Sequence, residues 1–235
     1  MGIEPAHPHD AVSASAPTLH VEGLHFHFDT RAVFSDFTAS MAPGITWLRG
    51  ANGMGKTTLL KLMAGSLAPQ RGRVRLGDID SAAQPLAYRL ASFYCGGDLP
   101  ELPWLTAREL IGLHLALYPA ADAARVQAQL DAFAIADVLP QAMATLSLGQ
   151  HKKVQLALAL ALPVRLLLLD EPFNGLDAAA VACLRAQLNQ RAQARSTAIV
   201  LTSHLDPEVD IGHTLDLDLD VNLNLNLNLA LHPER

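Results

Sequence analysis

GANGMGKTT, Gly50 to Thr58, reads G-x-x-x-x-G-K-[ST], with Gly50, Gly55, Lys56 and Thr57 at the defining positions. The glycines let the chain wrap tightly and aim backbone N–H groups at phosphate oxygens. The run Ala51, Asn52, Gly53, Met54 and Gly55 forms that wrap, and Thr58 closes it. Lys56 can reach the β- and γ-phosphates, and the Thr57 hydroxyl can bind Mg²⁺. LLLLDEP, Leu166 to Pro172, is a second chemical stretch. Asp170, at the end of an apolar run, can hold Mg²⁺ through water, and Glu171 can polarise an attacking water as a general base. TLSLGQHKK, Thr145 to Lys153, is a third, a polar knot inside a leucine- and alanine-rich region. On its own it reads as a helix entrance at Ser147, with Lys152 and Lys153 in a solvated first turn.

These groups need elements to hold them. ITWLRG, Ile45 to Gly50, reads as an apolar strand, and TTLLKLMAG as a short helix closed by Gly65. The phosphate loop therefore lies between strand and helix, where a helix N-terminus adds its positive end. Alternating apolar residues from Leu19 to Phe28 predict a strand, and FSDFTASMAPG predicts short strand-like pieces. TARE, Thr106 to Glu109, has capping-box spacing, and helical patterns continue through Leu110–Tyr118 and Ala123–Phe133. VQLALALALPVRLLLLD reads as a buried helix, a proline stop and a buried strand. TAIVLTSH adds another strand, with AAAVACLRAQLNQRAQ as the helix between them. Apolar strands alternating with helices imply a mainly parallel α/β sheet, and residues 98 to about 150 read as a helical insertion in it.

The ends have a different texture. Residues 1–18, rich in Pro, Ala, Ser and His, read as a disordered extension with neither a basic leader nor an apolar segment. Residues 213–235 alternate leucine with aspartate or asparagine, which fits a half-buried strand or a repeat with little structural duty. With 235 residues, half of them hydrophobic and 17% charged, the chain can bury one substantial core. A net charge of −6 and few aromatic residues argue against nucleic acid as a partner. Cys95 and Cys183 lie far apart with no metal-ligand spacing, which fits a reduced compartment. The longest apolar region is broken by Pro163 and Arg165, so no membrane span is expected.

Together the motifs resemble the ATP-binding cassette (ABC) family of ATPases. LSLGQ, Leu146 to Gln150, looks like the family signature LSGGQ, and Ser147 stands 23 residues before Asp170. NGLD, ending at Asp177, resembles the loop that follows the Asp-Glu pair, and TSH, ending at His204, resembles the switch histidine. Phe28 stands where the family often stacks an aromatic ring on adenine. The resemblance covers residues 19–212. It implies a P-loop NTPase sheet core with an antiparallel β part and an inserted helical subdomain, binding ATP and Mg²⁺. It also implies a homodimer or heterodimer of ATPase subunits, closed head to tail around two ATP molecules. In that dimer Ser147, Leu148, Gly149 and Gln150 of one subunit would meet the nucleotide of the other. Lys56, Glu171 and His204 would carry the hydrolysis, with Thr57 and Asp170 at the metal. The short single cassette resembles exporter-type ATPases, including those of haem export in cytochrome c maturation, which sit at the cytoplasmic face of the membrane on integral membrane subunits.

The sequence departs from that family at two places. Leu148 replaces the first signature glycine. No glutamine occurs between Leu90 and Trp104, where the family places one near the metal; Gly96 stands near its position, and Asp98 is a substitute or a surface carboxylate. Three rival readings remain: an ABC ATPase that moves no substrate, a weakly hydrolysing regulator, and a small-molecule kinase with a phosphate loop. The kinase would leave LSLGQ and NGLD without a role.

Overall fold

The computed structural model of the chain describes residues 18–96 and 102–218. The extension up to residue 17, Asp98, and the tail from residue 219 lie outside the described residues. Strands β1 (Leu19–Phe28), β2 (Arg31–Met41), β4 (Arg71–Leu76) and β5 (Ile79–Asp80) form an antiparallel sheet in the order β2-β1-β4-β5. A second sheet, with β3 (Gly44–Arg49), β6 (Ser92–Cys95), β7 (Leu166–Leu169), β8 (Ala198–Thr202) and β9 (Ile211–Asp216), is parallel throughout in the order β6-β7-β8-β3-β9. FSDFTASM is thus one irregular long strand rather than short pieces, because register shifts against β1 let β2 follow it to Met41.

Every residue of β7 and β8 is buried, which is why both read as apolar runs rather than as alternation. Leu166 and Leu168 face one core, shared with the antiparallel sheet and helix α1 (Lys56–Met63). Leu167 and Leu169 face the other, beneath α5 (Leu148–Ala161) and α6 (Ala178–Gln193). Helices α3 (Ala107–Leu117) and α4 (Ala123–Ala132) contribute to this second core through Ile111, Val126 and Leu130. Between the two layers, α2 (Pro85–Ala91) buries Tyr88, whose hydroxyl donates to the Met63 carbonyl at 2.6 Å.

β9 crosses residue 212, the boundary expected from composition, and pairs in parallel with the edge of β3 as far as Asp216. Leu215 and Leu217 are buried, so this part of the alternating segment is a half-buried strand. Among the described residues no helix is long and apolar enough to cross a membrane.

Arg191, on α6, satisfies the C-terminal end of α5. Its guanidinium donates to the carbonyls of Ala159, Leu160, Leu162 and Val164 and to the Thr197 hydroxyl, at 2.9 to 3.3 Å. Ala159 and Leu160 are the carbonyls that the helix end and its proline stop would leave without a donor, since Pro163 has no N–H and the Val164 N–H turns to Leu162. Burial, with Arg125 adding to it, brings the Arg191 pKa down to about 10, so the group stays charged near neutrality. Arg191→Ala takes the side-chain donor from the Ala159 and Leu160 carbonyls, while those of Leu162 and Val164 keep the Val164 N–H and the Thr197 hydroxyl, and is expected to lower stability by about 3 kcal/mol, read as a lower urea midpoint with an unchanged slope.

Candidate functional site

The site begins at the strand-to-helix turn after β3. Gly55 caps α1 with φ 93°, and a Cβ there would lie 2.6 Å from Val33 Cγ1 and 3.1 Å from the Phe34 ring. Only glycine lets the loop pass so close to β2 in that conformation. Lys56 folds back over the loop, its ammonium donating to the carbonyls of Gly50 at 2.6 Å and Ala51 at 3.1 Å. Around this turn lies a cavity of about 510 Å³, lined by Asn52 to Thr58, Phe28, Asp170, Glu171 and His204, with Arg31, Ala32 and Val33 from β2. The Phe28 side chain is half exposed on this wall and stands edge-on to Phe26, with ring centroids 4.8 Å apart.

The carboxylate of Asp170 is buried and converged upon by hydroxyls. Thr57 Oγ1 donates to Oδ2 at 2.6 Å, Tyr94 to the same oxygen at 3.3 Å, and Thr202 Oγ1 to Oδ1 at 2.7 Å. A hydroxyl and a carboxylate held together at a cavity wall are hard oxygen donors, which suits Mg²⁺ with water and phosphate completing its shell. Glu171 adopts φ 48°, an uncommon left-handed conformation for a residue with a side chain. Its N–H donates to Thr202 Oγ1 at 2.8 Å. Its Oε1 is buried and accepts no hydrogen bond among the described residues. His204 Nε2 stands 3.4 Å from that oxygen, close enough for an ion pair when protonated.

Two residues here were not singled out from sequence. Tyr94 carried no signal, and a Cβ on Gly96 would overlap its hydroxyl. Asp218, in the alternating segment, accepts a hydrogen bond from the Ala51 N–H at 3.1 Å, because β9 delivers it beside the phosphate loop.

The other sequence-predicted residues stand apart from this cavity. Ser147, Leu148, Gly149 and Gln150 do not line it, and neither does Asp177. Ser147 caps α5 in a full capping box: its Oγ accepts from the Gln150 N–H at 3.2 Å, and Gln150 Oε1 accepts from the Ser147 N–H at 2.9 Å. Because Oγ accepts inside the molecule, its own O–H remains available to donate outward. Leu148 is 78% exposed. Gly149 packs on the loop after Asp170, where a Cβ would come within 2.7 Å of the Gly175 carbonyl oxygen.

Of the two lysines after the signature, expected to form a solvated turn, Lys152 is buried and Lys153 pairs at the surface. Lys153 donates to Asp177 Oδ2 at 2.6 Å, and that bond, with the Ala180 N–H, holds the Asp177 carboxyl below the usual range. Lys152 is buried, donating to the carbonyls of Glu171 at 3.1 Å and Asp170 at 3.4 Å. The loop from Asp170 to Asp177 folds over the helix, burying Lys152 and pairing Lys153 at the surface.

Residues 35–174 match the sequence model of the ABC transporter family. The chain is 38% identical over 221 residues to a cytochrome c biogenesis ATP-binding export protein, CcmA, of Cupriavidus necator, covering 87% of this chain and 92% of that protein. A CcmA of Pseudomonas putida is 35% identical over 191 residues, covering 80% of this chain and 90% of that one. Among solved structures, the ATP-binding subunit of an ABC transporter superposes with a TM-score of 0.71 at 29% identity, covering 80% of this chain and 79% of that one.

Proposed function

The chain belongs to the ABC transporter family as an ATP-binding, ATP-hydrolysing subunit, and from that premise we propose that it works as a closed dimer driving export through membrane subunits. One observation carries the dimer: the signature residues lie outside the cavity that holds the phosphate loop, Asp170 and Glu171. If the signature acts on ATP, it acts on the ATP of another subunit. Ser147, with its O–H free to donate at a helix N-terminus, and Gly149 are suited to meet a γ-phosphate across that interface.

In this reading the adenine stacks on Phe28 and the phosphates lie along Gly50 to Thr58. Thr57 and Asp170 would hold Mg²⁺, which would supply positive charge against the phosphates. Lys56 leaves the loop carbonyls for the β- and γ-phosphates. The Glu171 carboxylate takes the proton of the attacking water, its direction set by the local backbone with His204 beside it. Asp177 orders the loop between the two sites through its cap on α6 and its bond to Lys153.

The export assignment is supported by the CcmA relatives, which are cytochrome c biogenesis export proteins and align with 87% and 80% of this chain. The subunit stands at the cytoplasmic face of the membrane, against integral membrane partners. Trp104, Leu113 and Leu117 are exposed apolar side chains on and beside α3 and suit such a contact.

Ser147→Arg in a Glu171→Gln background tests the trans contact. Monomer affinity for Mg-ATP is expected to stay within about twofold, while the ATP-dependent dimer seen by light scattering disappears. Weakened ATP binding by the monomer would place the signature in its own subunit's site instead.

A further inference from the structure

Lys152 was read as a solvated residue and is instead one of six buried polar or charged residues described in the chain. Among the described residues its ammonium forms no ion pair and donates to the carbonyl oxygens of Asp170 and Glu171. Burying an ammonium against neutral acceptors is unfavourable compared with an apolar side chain of the same length. The rest of α5 is rich in leucine and alanine, so the charge at this position calls for a local reason.

Glu171 supplies it. Its left-handed backbone, φ 48°, is one that side-chain-bearing residues adopt only when their surroundings hold them there. Two groups hold the peptides that flank the Glu171 Cα. Thr202 Oγ1 accepts from the Glu171 N–H at 2.8 Å, and Lys152 Nζ donates to the Glu171 carbonyl at 3.1 Å. The Thr202 hydroxyl is itself fixed by donating to Asp170 Oδ1 at 2.7 Å. The direction of the Glu171 carboxylate, which lines the cavity with Oε1 3.4 Å from His204 Nε2, follows from this backbone.

The geometry points to Lys152 as a positioning residue for hydrolysis: from the signature helix it fixes the Glu171 peptide and so aims the carboxylate at the attacking water. In the step it serves, the water oxygen bonds to the γ-phosphorus, the bond from that phosphorus to the bridging oxygen breaks, and Glu171 takes the water proton. The inference rests on the reading of Glu171 as that base. It also gives α5 two duties, since Ser147 at its start faces the partner's nucleotide while Lys152, five residues on, holds the base of its own subunit. Engagement of the signature by one ATP would then bear directly on the base at the other.

The experiment compares the full-length chain with Lys152→Met, Lys152→Arg and Glu171→Gln. It measures kcat and KM for Mg-ATP, direct binding of a fluorescent ATP analogue, and Tm. Lys152→Met is expected to lower kcat about 10- to 100-fold, with KM and analogue affinity within about twofold. Lys152→Arg, which keeps donors for both carbonyls, is expected to recover to within about threefold of the parent. A Lys152→Met protein with normal kcat would overturn the inference. So would parallel losses of kcat and analogue affinity, or an arginine variant as slow as the methionine one. Should Lys152→Met not fold, Lys152→Gln, whose side chain is uncharged and one bond shorter, replaces it and is expected to show the same loss of kcat. An active Glu171→Gln enzyme would mark a different failure, that of the base itself.

Discussion

Lys56→Ala is expected to reduce kcat/KM for ATP hydrolysis by at least about a thousandfold, which corresponds to about 4 kcal/mol of lost transition-state stabilisation. The loop's backbone amides contribute partial charges, whereas Lys56 brings a full positive charge on a stem that reaches the γ-phosphate. Its ammonium is 2.6 Å from the Gly50 carbonyl and 3.1 Å from that of Ala51, so it lies within the loop and needs only a side-chain rotation to meet a phosphate. Arg31 lines the same cavity but enters from the first residue of β2, outside the loop. Truncating Lys56 also leaves those carbonyls facing the incoming phosphate, which adds repulsion to the loss of attraction. Phosphate release under single-turnover conditions, with ATP binding measured separately, checks the effect. An alanine variant that hydrolysed ATP at the parental rate would remove the phosphate loop from the chemistry.

The parts of the site that were legible in the sequence are those whose chemistry is local. The phosphate loop is nine contiguous residues between an apolar strand and a helix, and its conformation depends mainly on its own glycines. Ser147 and Thr106 announced capped helices because the cap and its partner stand three residues apart, and both boxes are formed. The two-sided burial of β7 and β8 was legible for a related reason, since a strand with no polar alternation has no face to give to water.

The rest depends on partners distant along the chain. A lysine in a first helical turn looks the same whether water or another loop lies over it, and the loop that covers Lys152 comes 18 residues later. The Tyr94 hydroxyl meets Asp170 across 76 residues, and Asp218 meets Ala51 across 167. The leucine-aspartate alternation fitted either a strand or an idle repeat. The edge of β3 decides in favour of a strand as far as Asp216, which sequence periodicity alone could not show. Signature and phosphate loop are a further case: each is legible alone, but in the dimer we propose their relation would lie between subunits, which the resemblance implies and a measurement must test.

Glu171→Gln separates binding from chemistry and is expected to lower turnover about a thousandfold while leaving ATP affinity intact. Glutamine keeps the volume of glutamate and can still accept from Asn174 Nδ2, which stands 3.4 Å from Oε2. It cannot take up the water proton. The backbone hold by Thr202 and Lys152 is unaffected by the substitution, so the amide should occupy the place of the carboxylate. Removing the negative charge also removes repulsion between this side chain and the γ-phosphate, which favours the ATP-bound state further. With hydrolysis blocked, the state that ATP favours should accumulate, and light scattering should show a monomer becoming a dimer only when Mg-ATP is present. If the variant binds ATP and stays monomeric, the signature of one chain does not complete the site of another. If it hydrolyses ATP at the parental rate, the proton goes elsewhere, and the unpartnered Glu171 oxygen beside His204 serves some other purpose in the cavity.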